Sequence, residues 1–158
     1  MKNAISANQS ASRRRSSLPC GSMAERLFTP DEANNALDEV RPVAERLVAV
    51  RARMRELERS QGELVTAIGG NGGGYAATDL NEAQTELGGL ADVALACVDK
   101  LEELGVVLKD LDRGLLDFPS ERGGEEVLLC WHVGEESVTS WHGLEEGFAG
   151  RKPIDWSE

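Results

Sequence analysis

The stretch LEELGVVLKDLDRGLLDFP, residues 101–119, contains the change of period that decides the fold. Up to Leu104 the apolar residues recur every three or four positions, as on one face of a helix. From Gly105 onward they alternate with polar ones, as on a strand with one face covered. The chain therefore predicts helices first and a sheet second, an α+β fold.

Upstream of this stretch, Leu80, Ala83, Leu87, Leu90, Ala94, Cys97, Leu101 and Leu104 step alternately by three and four. The start is expected at Thr78 or Asp79, with Glu82 closing a capping box, so the helix covers about 79–104. Gly88-Gly89 interrupts it, which predicts a close backbone approach there. Val93, Leu95 and Val98 lie off the seam and ask for a second cover, either the C-terminal segment or another copy of the chain. Cys97, within the seam, reads as a small core residue.

Before it lies GGNGGG, residues 69–74. It lacks the Lys-Ser/Thr of a phosphate loop and follows a helix rather than a strand, so it reads as a hairpin loop. Upstream again, Thr29-Pro30-Asp31-Glu32 is a helix start with a capping box and proline at the first turn. Ala36, Val40, Val43, Leu47, Val50, Met54 and Leu57 then repeat at 3.5-residue spacing, and the helix is expected over about 30–66. Pro42 inside it removes a backbone donor and predicts a kink near Glu39–Arg41. Two matched seams joined by glycines make a long antiparallel helical hairpin of coiled-coil type.

Downstream, strands are expected at about 105–110, 114–118, 125–133 and 137–142, a four-stranded antiparallel meander. Residues 143–158 should be coil or a short helix. Residues 23–158 are expected to form one domain. Residues 1–22 hold Lys2, Arg13, Arg14, Arg15, six serines and no acid, and are expected to be disordered. They read as an over-called start before Met23, or as an organellar transit-like segment.

Net charge is −11, and the basic extension makes the remainder more acidic still. Such a domain repels nucleic acid and anionic membrane. No apolar run approaches the ~18 residues that span a bilayer. Cys20, Cys97 and Cys130 are odd in number and form no CxxC, which fits free thiols in a reducing, cytoplasmic setting.

Chemistry, if present, concentrates in LLCWHVGEESVTSWHGLEEGF, residues 128–148, which holds both histidines. A two-residue turn at Glu135-Glu136 pairs Leu129 with His142 and puts His132 and His142 on opposite faces. A three-residue turn pairs Cys130 with His142 and puts Cys130, His132 and His142 on one face. The two-residue hairpin is the commoner type and is favoured. Cys130, His132 and His142 are the metal candidates, for zinc or another divalent ion. Cys130 beside His142 is the nucleophile candidate, set against a buried structural thiol. Asp110 and Asp112 share a face and, with Asp117, are the carboxylate candidates. Trp131 and Trp141 read as large faces covering the helical hairpin. His142 could cap the following turn or pair with Glu145 or Glu146, and Arg151 could anchor to Asp117. His142, Asp117, Arg151, Glu135, Trp141 and Cys130 form the candidate cluster.

The strings LFTPDEANNAL, GVVLKDLDRGLLDFP and EEVLLCWHVGEESVTSWHGLEEGFAGRKPI resemble an uncharacterised, mainly bacterial family, domain of unknown function number twenty-two hundred and three. The resemblance covers residues 27–154. Its specific part is Asp117-Phe118-Pro119, Cys130-Trp131, Gly134-Glu135, Trp141-His142, Gly147-Phe148 and Gly150-Arg151. The family usually has Arg or Lys where this chain has His132, so the resemblance assigns His132 no shared role. It implies no activity. The favoured expectation is a non-enzymatic module that self-associates through its helices and needs no cofactor, with a protein as the other class of partner. The alternative is a small metal-binding protein or enzyme centred on the Trp-His hairpin.

Overall fold

The computed structural model describes residues 26–69 and 74–156. The extension of residues 1–22 and most of the glycine loop lie outside them. Helix α1 spans Pro30–Ile68 and helix α2 Gly74–Glu103. The α1 start is as the sequence specifies: Thr29 Oγ1 accepts from the Glu32 N–H at 3.1 Å, and Glu32 Oε1 accepts from the Thr29 N–H at 3.3 Å. The helix then continues through Pro42. Helix α2 begins five residues before Asp79.

The two helices run antiparallel. Val43 faces Val93 and Cys97 across a groove, while ten residues further along α1 Arg53 meets Glu86 at 2.8 Å. At 39 residues α1 is ~58 Å long, longer than the sheet it packs on. Its sheet-facing half buries Ala33, Leu37, Val40, Ala44 and Leu47, whereas beyond Leu47 the only buried apolar residue of α1 among those described is Leu57. Gly88 and Gly89 face open space, since a Cβ on either would meet nothing within 4 Å. The expected close approach does not occur.

The strands are β1 (Val107–Asp110), β2 (Leu115–Arg122), β3 (Glu125–His132), β4 (Ser140–Gly143) and β5 (Lys152–Pro153), in that spatial order and antiparallel throughout. The sheet thus has five strands rather than four. Pro153 opposes Ser140, Lys152 opposes Trp141, and the Ile154 N–H donates to the Thr139 carbonyl at 2.9 Å. A two-residue edge strand carrying a proline has no alternation to read. A short 3-10 turn at Phe148–Gly150 precedes it.

Strand β2 also continues past Pro119. The Pro119 carbonyl accepts from the Phe28 N–H at 2.7 Å. Its nitrogen faces the same side, beyond the end of β1, so the missing N–H breaks no ladder bond. Gly123 and Gly124, at φ +60° and +86°, then close a two-residue hairpin into β3.

Alternation divides the sheet's side chains. Leu116, Phe118, Leu129 and Trp131 point to the helices and join Val40, Leu47, Cys97 and Leu101 in one core. Phe28 meets Phe118 edge-on at 5.2 Å. Asp117 and Cys130, the intervening and directly paired residues, face away from the helices.

Candidate functional site

The register of β4 on β3 decides which residues meet. Leu128 opposes His142, Leu129 opposes Trp141 and Cys130 opposes Ser140. This is neither of the two tight hairpins. The favoured two-residue turn is overturned, because residues 133–139 are drawn onto α1 instead of closing directly. Asn34 donates from Nδ2 to the Val138 carbonyl at 3.2 Å and accepts the Val138 N–H on Oδ1 at 2.7 Å. Arg41 donates from Nη1 to the Glu135 carbonyl at 2.9 Å and from Nη2 to that of Glu136 at 2.5 Å. Trp131 Nε1–H donates to the same Glu135 carbonyl at 3.0 Å. A shift of one residue moves a whole strand's side chains to the other face, and here it sets His142 on the face of Cys130.

Asp117, Cys130 and His142, from the three central strands, therefore converge, with one ligand atom of each within 4.8 Å of the others. His142 Nε2 lies 3.0 Å from Asp117 Oδ1. His142 Nδ1 lies 2.7 Å from the Gly143 carbonyl. A carbonyl only accepts, so Nδ1 carries a proton, and a further proton sits between Nε2 and Oδ1. The trio is sealed, at 1% exposure for Asp117 and Cys130 and 3% for His142. Asp117 Oδ2 has no hydrogen-bond partner, and the Lys109 ammonium stands 3.9 Å from it.

Burial pushes the Cys130 thiol up to about 12, and the neighbouring Asp117 carboxylate adds to the effect. So raised, the thiol stays protonated at neutral pH, which weighs against a nucleophilic role.

The remaining candidates fall around the trio. Arg151 does not reach Asp117. Its Nη2 pairs with Glu135 at 2.6 Å and lies 3.4 Å from the Cys130 carbonyl. His142 pairs with neither Glu145 nor Glu146; instead the Glu146 carboxylate accepts the Gly143 N–H at 2.8 Å and meets Lys152. His132 shares the face of His142 but stands four residues along β3 from Leu128. Its Nδ1 lies 2.8 Å from the Val133 carbonyl, its Nε2 lies 3.8 Å from Glu135, and its ring lies 6.1 Å from that of Phe148. Trp141 projects to the opposite face and packs edge-on against Trp156 at 5.5 Å.

Asp110 and Asp112 hold a turn rather than a reaction centre. Asp110 Oδ1 accepts the N–H groups of Asp112 and Arg113 at 2.9 and 3.1 Å, and Asp112 pairs with Arg51 and Arg55 at 3.3 and 3.4 Å. Asn34, Arg41 and Lys109 escaped the sequence reading. On helical or strand spacing alone each is an ordinary polar position, and only the folded pairing gives it a partner.

Neither the comparison with curated proteins nor that with solved structures finds a match. A family model described as "Uncharacterized conserved protein (DUF2203)" matches residues 26–154, and the chain belongs to that family.

Proposed function

We propose that the chain is a non-enzymatic interaction module, a single domain over residues 23–158, that self-associates through its helical hairpin. The observation that carries this reading is a groove between the helices, away from the sheet. Pro42 and Val43 of α1 and Val93, Ala96 and Cys97 of α2 line it, and it encloses about 340 Å³. Its walls are mostly apolar and nothing in the described chain fills it.

The occupant we assign is a second copy. Arg46 and Lys100 stand at the groove, with Glu39 and Asp92 two turns away on the same helices. Two antiparallel copies related by a two-fold axis bring each basic residue towards the other copy's acid. The burial of Asp117, Cys130 and His142 supports the non-enzymatic part, since none of the three is presented to a substrate at the surface. The free thiols Cys97 and Cys130 suit a reducing cytoplasm. No helix of the described residues is long and apolar enough to cross a membrane.

Light scattering on the full chain at micromolar concentration tests this. A dimer is expected, returned to monomer by Ala96→Glu, which places bulk and charge in the groove at an exposed position. A monomeric wild-type chain, or a dimer indifferent to Ala96→Glu, overturns it.

A further inference from the structure

We propose that Asp117, Cys130 and His142 bind a divalent transition cation of zinc type, through the Asp117 carboxylate, the thiolate sulfur and imidazole Nε2. This goes beyond self-association and does not depend on it. The donor set is the mixed S, N and O set that zinc favours over calcium or magnesium. Each donor comes from a different central strand, so the backbone scaffold is rigid.

Three further observations support the site. The first is an orphan: Asp117 Oδ2 is buried with no hydrogen-bond partner. A buried carboxylate oxygen without a donor is costly, and a cation would satisfy it. The second is orientation. The Nδ1–H of His142 is committed to the Gly143 carbonyl at 2.7 Å, which fixes the ring and turns Nε2 inward. This outer hydrogen bond is the arrangement that metal-bound histidines use. The third is spacing. Nε2 and Oδ1 lie 3.0 Å apart, close to the ~3.3 Å edge of a tetrahedron with ~2.0 Å bonds. Cys130 Sγ needs only a small inward movement, since the three donors already lie within 4.8 Å of one another.

Uptake is a balanced exchange. The proton shared by Nε2 and Oδ1 leaves, and so does the thiol proton of Cys130. Two protons go out and one dication comes in, so the sealed site keeps its net charge. Three protein donors leave one tetrahedral position, which a water entering with the cation would fill. Lys109 opposes the cation, but its side chain is 45% exposed and can turn to solvent.

The test uses the full chain without a histidine tag, carrying Cys20→Ser and Cys97→Ser so that Cys130 is the only thiol. Cobalt(II) chloride is the probe and zinc the competitor. One cobalt per chain is expected, with thiolate-to-cobalt charge-transfer absorption, displacement by zinc, and two protons released per ion. Cys130→Ser removes the band. Lys109→Met tightens binding severalfold, a response that a site elsewhere would not show. Absence of the band in the Cys130-only chain overturns the proposal, as does a band that survives Cys130→Ser. Should Cys130→Ser not fold, the spectrum and stoichiometry of the Cys130-only chain decide alone.

Discussion

Asn34 and Val138, 104 residues apart, exchange two hydrogen bonds, the side-chain amide of one serving both backbone groups of the other. Asn34 acts here as a strand neighbour would, and Val138 is held 3% exposed against the helices. The pairing ties the β3–β4 connection to α1 and so fixes the register that brings His142 to Cys130. Asn34→Ala leaves a half-buried N–H and a carbonyl without partners. It is expected to cost about 1–3 kcal/mol, in denaturant midpoints compared at equal m-value. Asn34→Asp keeps the acceptor for the Val138 N–H but sets a carboxylate oxygen against the Val138 and Pro30 carbonyls, so it should cost at least as much.

The Asp117–His142 pair separates structure from metal binding. In Asp117→Asn the amide can donate to His142 Nε2, so the contact survives and the cost is expected to be within about 1 kcal/mol. Asp117→Ala leaves the imidazole buried and alone, and should cost about 3 kcal/mol or more. The two variants differ little in their effect on a cation, since neither offers a carboxylate. A folded Asp117→Asn chain that still bound cobalt with unchanged affinity would show that Asp117 is no ligand.

The helices were legible because their information is local. The Thr29–Glu32 capping box and the 3.5-residue stripe through Val40, Leu47 and Leu57 need no knowledge of the rest of the chain. The strands were legible as far as alternation runs, through Leu116, Phe118, Leu129 and Trp131. The register of β4 was not. Turn statistics favour a two-residue hairpin at Glu135-Glu136, and the opposing influence comes from Asn34 and Arg41, some hundred residues upstream. With the register went the faces, so the sequence named Asp117, Cys130 and His142 within a wider cluster but could not select them. His132 and Arg151 carry equal chemical promise in one dimension. Folding gives each to Glu135 instead, at 3.8 and 2.6 Å. Residues 1–22 and most of the glycine loop, read as a disordered extension and a hairpin loop, lie outside the described residues.

Gly114 joins the hairpin of β1 and β2 to the helices, and among the described glycines it has the least freedom to change. It sits at φ +62°, where an L side chain is disfavoured. A Cβ there would also lie 2.5 Å from Val133 Cγ2 and 2.9 Å from Val48 Cγ2. Val133 N–H donates to the Gly114 carbonyl at 3.2 Å, so the backbone cannot turn away without breaking that bond. Gly114→Ala is expected to destabilise by about 2 kcal/mol or more, from strain and overpacking together. Gly88→Ala and Gly89→Ala meet open space on a helix, and each should stabilise by about 0.5–1 kcal/mol. Opposite signs in thermal melts at matched concentration are the expected outcome.

Cys130 sets an alkaline limit on stability. Its thiol is pushed up to about 12 by burial and by Asp117, against ~8.5 in an unfolded chain. Between those values the unfolded chain has lost the thiol proton and the folded chain keeps it. The folded state then binds more protons, so raising the pH favours unfolding. The contribution is fully present below ~8.5 and is lost as pH rises towards about 12. One proton corresponds to a slope of at most ~1.4 kcal/mol per pH unit. Denaturant melts of the metal-free chain from neutral pH to pH ~10.5 should show that decline above ~8.5. Cys130→Ala removes the group and should flatten the curve across the same window, with a lower starting stability from the lost packing. Cys97→Ser serves as the control for the other buried thiol. A wild-type curve as flat as that of Cys130→Ala would mean that the folded chain gives up this proton as readily as the unfolded one, and that the seal around the trio is open to water.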